Sequence, residues 1–567
     1  MDSERQTLRN PRLLALLRQT AQLPVWTCAI RPASARQRQA RKLRAAEHSD
    51  CTQLLLLLVG ALCTVPAAAK PPNIVFIMSD DHAVAAVSAY GESRLQLSTP
   101  NIDRIARNGM RFDRAYVANS ICGPSRATML TGNHSHANGF YSNEWSGPFN
   151  GEQQTLPLLL QEAGYSTAVV GKWHLYSDPV GFDHWEVIHN SFEQGTYYNP
   201  EFRSAQGIEK TSGYVANIIT DKAIAWLAEN ASRPEPFFLI YNHKTPHRDW
   251  LPGPQELRDW DEDARIEEPP TLLRDLSNEV AARREARMSI ADWMTNNDVK
   301  LSMPRHLTPE QATLWEKAFS AGNAQYARLN PSGDAQVRWK YQRYIKTYAA
   351  AVKSMDREIG RLLDYLAAND LLENTIVIYT SDQGFFLGEN GWFDKRWMDE
   401  VSSRVPLLVQ WPGQVEAGSS SQALVQNIDF APTLLAAAEV VAPQPMHGRN
   451  MLPLLQQEPT QWREALYYHF YENPGFHGVA RHYGIHTGRM KLIHYYQDDE
   501  WELFDLHTDP QEQANLYGRP ERAAEVALLK RQLAALRTQY GVPEEDPPVP
   551  WYHGVVIRVF EQLLKLL

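Results

Sequence analysis

Cysteine is scarce in this sequence, with four in 567 residues, at positions 28, 51, 63 and 122. Three of them precede residue 70, so a chain trimmed there keeps Cys122 alone and has no internal disulfide. Long apolar runs are lacking too. The most apolar stretch, residues 54–62, falls well short of the roughly 20 residues a helix needs to cross a bilayer. Nor is there an excess of basic charge: Lys+Arg 56 against Asp+Glu 66 gives −10, which argues against a nucleic-acid scaffold. No internal repeat is visible. What is plentiful is apolar residues at 43% with charged residues at 22%, enough for a sizeable core and incompatible with wholesale disorder. The 16 Trp and 24 Tyr suit stacking on sugar rings, although most of so many belong in a core.

The apolar run at 54–62 follows an Arg-rich, acid-poor stretch and ends in Val65-Pro66-Ala67-Ala68-Ala69, a small-residue cleavage pattern. Residues 1–69 therefore read as a leader and secretory signal, cut after Ala69, which sends the chain to the periplasm or outside the cell with no stable membrane span. Trimming leaves 46 Lys+Arg against 62 Asp+Glu, a formal charge of −16.

From residue 70 onward strand and helix signals alternate. Residues 73–78 form a continuous apolar run, as a strand buried on both faces does. Similar strands read at 166–170, 236–241, 375–380 and 406–411, with helical patterns between them. The alternation predicts an α/β fold over 70–455, a doubly wound, largely parallel sheet with helices on both faces. Residues 253–335 read as a polar insertion of short helical pieces. Strands at 467–470, 490–496 and 501–504, then a helix at 521–540, predict a smaller α+β C-terminal subdomain with an antiparallel sheet over 456–540. Residues 541–567 are a Pro-rich linker and a short apolar tail, expected to pack on the body or on a second subunit. No sequence feature speaks to oligomeric state.

Polar clusters fall where the strands end, the position at which open α/β sheets bind ligands. They are Ser79-Asp80-Asp81-His82, Gly171-Lys172-Trp173-His174, Asn242-His243-Lys244-Thr245-Pro246-His247 and Ser381-Asp382-Gln383-Gly384. One such cluster is commonly a helix cap; four together are not. Asp80, Asp81, Asp382 and the Gln383 amide offer only oxygen, which favours a hard cation, Ca²⁺ or Mg²⁺, over zinc. Cys122 precedes Pro124 at a predicted helix N-terminus beside Arg126, where anions bind. On composition alone an inert thiol remains the default, and His243 reads as a core histidine.

Cys122-Gly123-Pro124-Ser125-Arg126 resembles the Cys-x-Pro-Ser-Arg signature of type I sulfatases, and Leu130-Thr131-Gly132 extends the match. Gly171 to Leu175, Thr245-Pro246-His247, Ser381 to Glu389 and Gly391 to Arg396 are similar to family segments as well. Within the family, the segment from Ser381 to Arg396 and Trp339 to Tyr344 look most like bacterial N-acetylglucosamine-6-sulfatases acting on mucin- or heparan-type glycans. Asn390 stands where a histidine is usual and Asp399 where a tyrosine is usual, so substrate contacts near Lys395 depart from the pattern.

The resemblance implies an alkaline-phosphatase-like fold, a sulfated carbohydrate substrate, and oxidation of Cys122 to Cα-formylglycine by a formylglycine-generating enzyme. The metal ligands it implies are Asp80, Asp81, Asp382, Gln383 and the converted Cys122. The hydrated aldehyde would supply the nucleophilic oxygen, with Arg126, Lys172 and Lys395 neutralising the sulfate. His247 would protonate the leaving sugar oxygen and His174 would take the proton of the second hydroxyl. Asp394 and Arg396 would fork onto sugar hydroxyls, with His477, Arg481 and His482 closing the pocket; an ordinary ion pair explains each equally well. Two other readings stay open here: a hydrolase of another sugar sulfate or of a phosphate or phosphonate monoester, and an unconverted glycan-binding relative.

Overall fold

The computed structural model describes residues 70–564 apart from 93 and 191, so the expected leader and signal at 1–69 lie outside the described residues. The central sheet has ten strands: β1 (Asn73–Ser79), β2 (Met110–Phe112), β3 (Ser166–Gly171), β4 (His184–His189), β5 (Glu201–Ser204), β6 (Gly207–Lys210), β7 (Phe237–Asn242), β8 (Thr375–Ser381), β9 (Leu407–Gln410) and β10 (Ser419–Ser421). Their order across the sheet is β10-β2-β9-β8-β1-β7-β3-β4-β5-β6. The pairs β1–β7, β1–β8, β3–β7 and β3–β4 are parallel. The strand expected at 406–411 is present as β9 but runs antiparallel to β8. The chain between them holds a small hairpin (Phe386–Leu387 with Phe393–Asp394), a 3-10 turn at Glu389–Gly391 and the four-residue helix Glu400–Ser403, and no long crossover helix carries it back to start a parallel strand. The short strands β2, β4, β5, β6 and β10 were not legible as apolar runs.

Successive residues of β1 feed different cores, which is what a sheet covered on both faces requires. Ile74, Phe76 and Met78 pack with Ala127, Met129 and Phe430 on one side. Val75 and Ile77 pack with Val215, Ile219, Met355 and Ile359 on the other. The helices concerned are α1 (Cys122–Thr131), α2 (Val215–Asn230), and, after α3 (Pro309–Leu329), α4 (Gly333–Ala368). The insertion thus ends in one long helix, not only short pieces; Thr308 caps α3 through the Gln311 N–H with Pro309 in the first turn. Two α4 tyrosines tie down strand-end loops, Tyr348 donating to the Asp81 carbonyl at 2.8 Å and Tyr344 to that of Phe386 at 2.7 Å.

A second, four-stranded antiparallel sheet follows: β11 (Leu466–Phe470), β12 (His482–His486), β13 (Met490–Tyr495) and β14 (Glu500–Asp505). One face packs on α5 (Ala523–Gln539) through Leu529 and Leu533. The other face meets Trp392, Trp397 and Met398 of the loop after β8. This sheet is therefore a backstop that fixes the loop after β8. The described residues from Lys70 onward form one compact unit. In the tail helix α6 (His553–Leu564), Ile557 is buried while Val555, Val556 and Val559 are exposed.

Candidate active site

β1, β3, β7 and β8 end side by side, and their C-terminal loops bring the four sequence clusters to one place. Asp80 and Asp81 follow β1, and the Asp81 N–H donates to Asp382 Oδ1 after β8 at 3.1 Å. The carboxylates of Asp80, Asp81 and Asp382 lie within 4.8 Å of one another, all buried. Cys122 is the first residue of α1, fully buried, with Sγ 3.6 Å from Asp80 Oδ1, 3.6 Å from Gln383 Nε2 and 3.9 Å from Lys172 Nζ. A side chain at 123 would reach the Phe140 ring at 2.5 Å, so glycine is what lets α1 begin this deep. Gly171, with φ of 108°, allows the turn from β3 into Lys172; a Cβ there would lie 1.8 Å from the Asn242 carbonyl.

Each carboxylate has a cation. Lys172 pairs with Asp80, Lys395 with Asp81 at 2.7 Å, and Arg126 with Asp382 through Nε at 3.0 Å and Nη2 at 2.8 Å. The Gln383 amide N–H donates to Asp81, whereas its Oε1 is buried without a hydrogen-bond partner. Three convergent carboxylates and an orphan amide oxygen are a donor set that suits a hard divalent cation. Burial pushes the Asp81 carboxyl up to about 6 against the pull of Lys395, and that of Asp382 up to about 7. For Asp80 burial acts in the same sense, but Lys172, His247 and Arg126 override it and hold the carboxyl well below its usual range. Burial pushes the Cys122 thiol up to about 12.

Both expected histidines are here. His247 donates Nδ1–H to the Arg248 carbonyl at 2.7 Å, which turns Nε2 toward Asp81 Oδ2 at 3.7 Å. His174, at φ 58°, has Nε2 at 3.1 Å from the Gln194 amide nitrogen and at 3.2 Å from the Tyr176 hydroxyl. Gln194 Oε1 accepts from Lys172 Nζ at 2.8 Å, so its N–H points at His174 Nε2 and the imidazole proton sits on Nδ1. The role expected of His174 is to take a proton, and Nδ1, the nitrogen without a hydrogen-bond partner, can do so only in the other tautomer. Burial, reinforced by Lys172, lowers both histidines, so they are neutral in the free site. Gln194 and Tyr176 were missed in the sequence. Gln194 follows β4, and the strand-end position is the one signal that pointed to it.

The expected sugar contacts divide. Asp394, at φ 82°, pairs with Arg396 and with His477 Nε2 at 3.3 Å, and Arg396 Nε reaches Glu472 at 3.5 Å. These three form one cluster beside Lys395, whose backbone N–H donates to Asp394 Oδ1 at 2.8 Å. His482 does not join them: it is fully buried, stacked with Trp397 and Tyr468, with Nδ1 on the Ala480 carbonyl at 2.8 Å. Arg481 pairs with Asp546 at 2.7 Å. His243 is a core histidine against Tyr241. Asp399 pairs with Arg283 at 2.9 Å, and Asn390 accepts from Arg274 at 2.9 Å.

A doubly wound sheet whose strand ends gather three carboxylates, three cations and two imidazoles around one helix-terminal cysteine defines an ester hydrolase built for a tetrahedral dianionic or monoanionic group. The comparisons make the class specific. The sulfatase family profile matches residues 72–440, and the profile for the C-terminal part of N-sulphoglucosamine sulphohydrolase matches 388–539. The chain belongs to the sulfatase family and is a sulfuric ester hydrolase. It is 44% identical over 524 residues to N-acetylglucosamine-6-O-sulfatase of Bacteroides thetaiotaomicron, covering 88% of this chain and 92% of that one. Human N-acetylgalactosamine-6-sulfatase is 30% identical over 71% of this chain and 69% of its own. A solved structure in complex with its substrate D-glucosamine-2-N,6-O-disulfate superposes with a TM-score of 0.81 at 44% identity, covering 84% of this chain and 99% of that one.

Proposed function

We propose that this chain hydrolyses the 6-O-sulfate of glucosamine-type residues, N-acetylglucosamine above all, in mucin- or heparan-type glycans. The observation that carries the reading is the identity to an N-acetylglucosamine-6-O-sulfatase across 88% of the chain, together with Cys122 held among Asp80, Gln383 and Lys172. The phosphonate monoester hydrolase among the structural neighbours is 20% identical and shares the fold alone. The residues suit Ca²⁺, or Mg²⁺, held by Asp80, Asp81, Asp382 and Gln383, and a formylglycine at 122 made by a formylglycine-generating enzyme. When present, these groups supply a nucleophilic oxygen and its polarisation.

The chain's own side chains supply the rest. Lys172, Lys395 and Arg126 surround the position of the sulfate and offset the negative charge on its oxygens as it redistributes in the transition state. His247 commits Nδ1–H to Arg248, so Nε2 is the nitrogen that carries the transferable proton; neutral in the free site, it takes that proton up when an anionic ester binds. His174 Nδ1 has no hydrogen-bond partner, so it is available to take the proton of the nucleophile once the ring proton has moved to Nε2. Asp394, Arg396 and His477 present a carboxylate, a guanidinium and an imidazole to sugar hydroxyls. The signal at 54–69 makes the working compartment the periplasm or the exterior; among the described residues no helix is long and apolar enough to cross a membrane.

A panel of sulfated monosaccharides, with sulfate release measured by ion chromatography, tests the reading. The highest kcat/KM is expected on 6-sulfated glucosamine derivatives, and equal or better turnover of 4-sulfated galactosamine or of phosphate monoesters overturns it. The peptide containing residue 122 should be about 18 Da lighter than its thiol form through replacement of sulfur by oxygen and loss of two hydrogens. Elemental analysis should find calcium or magnesium; stoichiometric zinc in their place refutes the metal assignment.

A further inference from the structure

Lys244 follows β7 three residues before His247 and is 2% exposed. Its Nζ donates to the Arg248 carbonyl at 3.2 Å and lies 4.9 Å from the centre of the Tyr197 ring. The same carbonyl accepts Nδ1–H of His247 at 2.7 Å. Two donors, one of them charged, thus converge on the two lone pairs of one oxygen. The residue carrying that oxygen is anchored from outside the loop, because the Arg248 guanidinium binds Asp298 at 2.7 and 2.6 Å. Tyr197 closes the arrangement from the other side: its ring faces Lys244 while its hydroxyl donates to the His247 carbonyl.

A buried ammonium is costly, and here it serves no carboxylate at hydrogen-bond distance; what it serves is the oxygen that sets the His247 tautomer. We infer that Lys244 is a positioning residue for His247: its ammonium holds the Arg248 carbonyl where it takes the Nδ1 proton, which leaves Nε2 aimed at the leaving oxygen. A charged donor holds a carbonyl more firmly than a neutral one, and packing by Tyr197 limits the other places the Lys244 side chain can go. The inference rests on the reading of His247 as the proton donor to the leaving group. A donor that is present but misaimed costs rate on alcohols that leave poorly and little on phenols that leave well.

The test is steady-state kinetics of Lys244→Met, Lys244→Gln, Lys244→Arg and His247→Ala on N-acetylglucosamine 6-sulfate and on aryl sulfates of graded phenol acidity. For Lys244→Met, kcat is expected to fall about 10- to 100-fold on the poorest leaving groups and to change little on the best, with KM nearly constant. Lys244→Arg should recover most of the loss, and Lys244→Met should add little in a His247→Ala background. Lys244→Gln, which keeps a neutral donor, covers the case in which the apolar variant does not fold. A loss equal across all leaving groups, or one fully additive with His247→Ala, overturns the inference while a steep leaving-group dependence of His247→Ala keeps the His247 reading. If His247→Ala shows no such dependence, both fall.

Discussion

Gln194 directs its side-chain N–H at Nε2 of His174, 3.1 Å away, because its oxygen is already taken by Lys172. The amide thereby couples the cation that faces Asp80 to the tautomer of the histidine beside it. Gln194→Glu reverses the logic: a carboxylate accepts from both neighbours and draws the imidazole proton to Nε2. Nitrogen chemical shifts of labelled enzyme should show a protonated Nδ1 at His174 in the native chain and a protonated Nε2 in the variant. We expect kcat to drop about 10- to 100-fold even though Nδ1 is then free to take a proton, because the added carboxylate on Lys172 offsets the positive charge that the ammonium offers the sulfate. An unprotonated Nδ1 in the native enzyme would refute the assignment.

Asp394 and Arg396 both adopt left-handed backbone, at φ 82° and 92°, and Asp394 meets His477 from the C-terminal part of the chain. Strained non-glycine residues clustered at a pocket edge point to a constrained binding surface. Asp394→Ala or Arg396→Ala should reduce kcat/KM on a sugar sulfate far more than on a small aryl sulfate, which has no hydroxyls for them to hold. Equal losses on both substrates would move these residues from sugar recognition to the integrity of the Lys395 loop.

Much of this site was legible because the chemistry of open α/β sheets concentrates at strand ends. Asp80, Lys172, His247 and Asp382 each stand within six residues of an apolar run that became β1, β3, β7 or β8. The fold was legible for the same reason: strands buried on both faces read as uninterrupted apolar runs, as β1 does. What escaped was whatever depends on a partner far away in sequence. Gln194 sits on no motif and matters only because β4 lies next to β3. His482 looked available, since histidine is usually polar, but the face of β12 it occupies packs on Trp397. The short edge strands β5 and β6 owe their pairing to each other and to β4, and carry too few apolar residues to announce themselves.

Asp399 stands where the family resemblance led us to expect a tyrosine, and its role is structural. Its carboxylate takes Arg283 at 2.9 and 3.2 Å, while the same guanidinium reaches Glu502 on β14 at 2.8 and 2.9 Å, all of it buried. Removing Asp399 leaves Arg283 compensated by Glu502 but strands its buried Nη1 without the acceptor it had, at about 1–3 kcal/mol. Asp399→Ala should therefore lower the unfolding midpoint clearly. Asp364→Ala, which removes the exposed partner of Arg104, serves as the control and should change stability by no more than about 1 kcal/mol. Similar midpoints for the two variants would mean the buried network is not a structural clamp.

Cys122→Ser separates the two halves of the reaction. The serine hydroxyl would start where Sγ lies, 3.6 Å from Asp80 Oδ1 and 3.9 Å from Lys172 Nζ, so it enters the same field as the native group. On the reading proposed above it would attack sulfur, with the leaving oxygen taking its proton from His247 and the hydroxyl passing its own to Asp80 Oδ1, the acceptor that faces position 122. The product is a sulfate ester of the serine. A hydrated aldehyde carries a second hydroxyl whose deprotonation expels sulfate by breaking the carbon–oxygen bond; serine has none, and its ester can be released only by slow direct attack of water. Incubated with a reactive aryl sulfate, the variant should gain one sulfo group in its intact mass and release at most about one equivalent of phenol. Combining it with His247→Ala should slow that single event most for poorly leaving phenols, by about 10²- to 10⁴-fold. Sustained turnover by Cys122→Ser, with no covalent adduct, would rule out an aldehyde hydrate as the nucleophile in this enzyme.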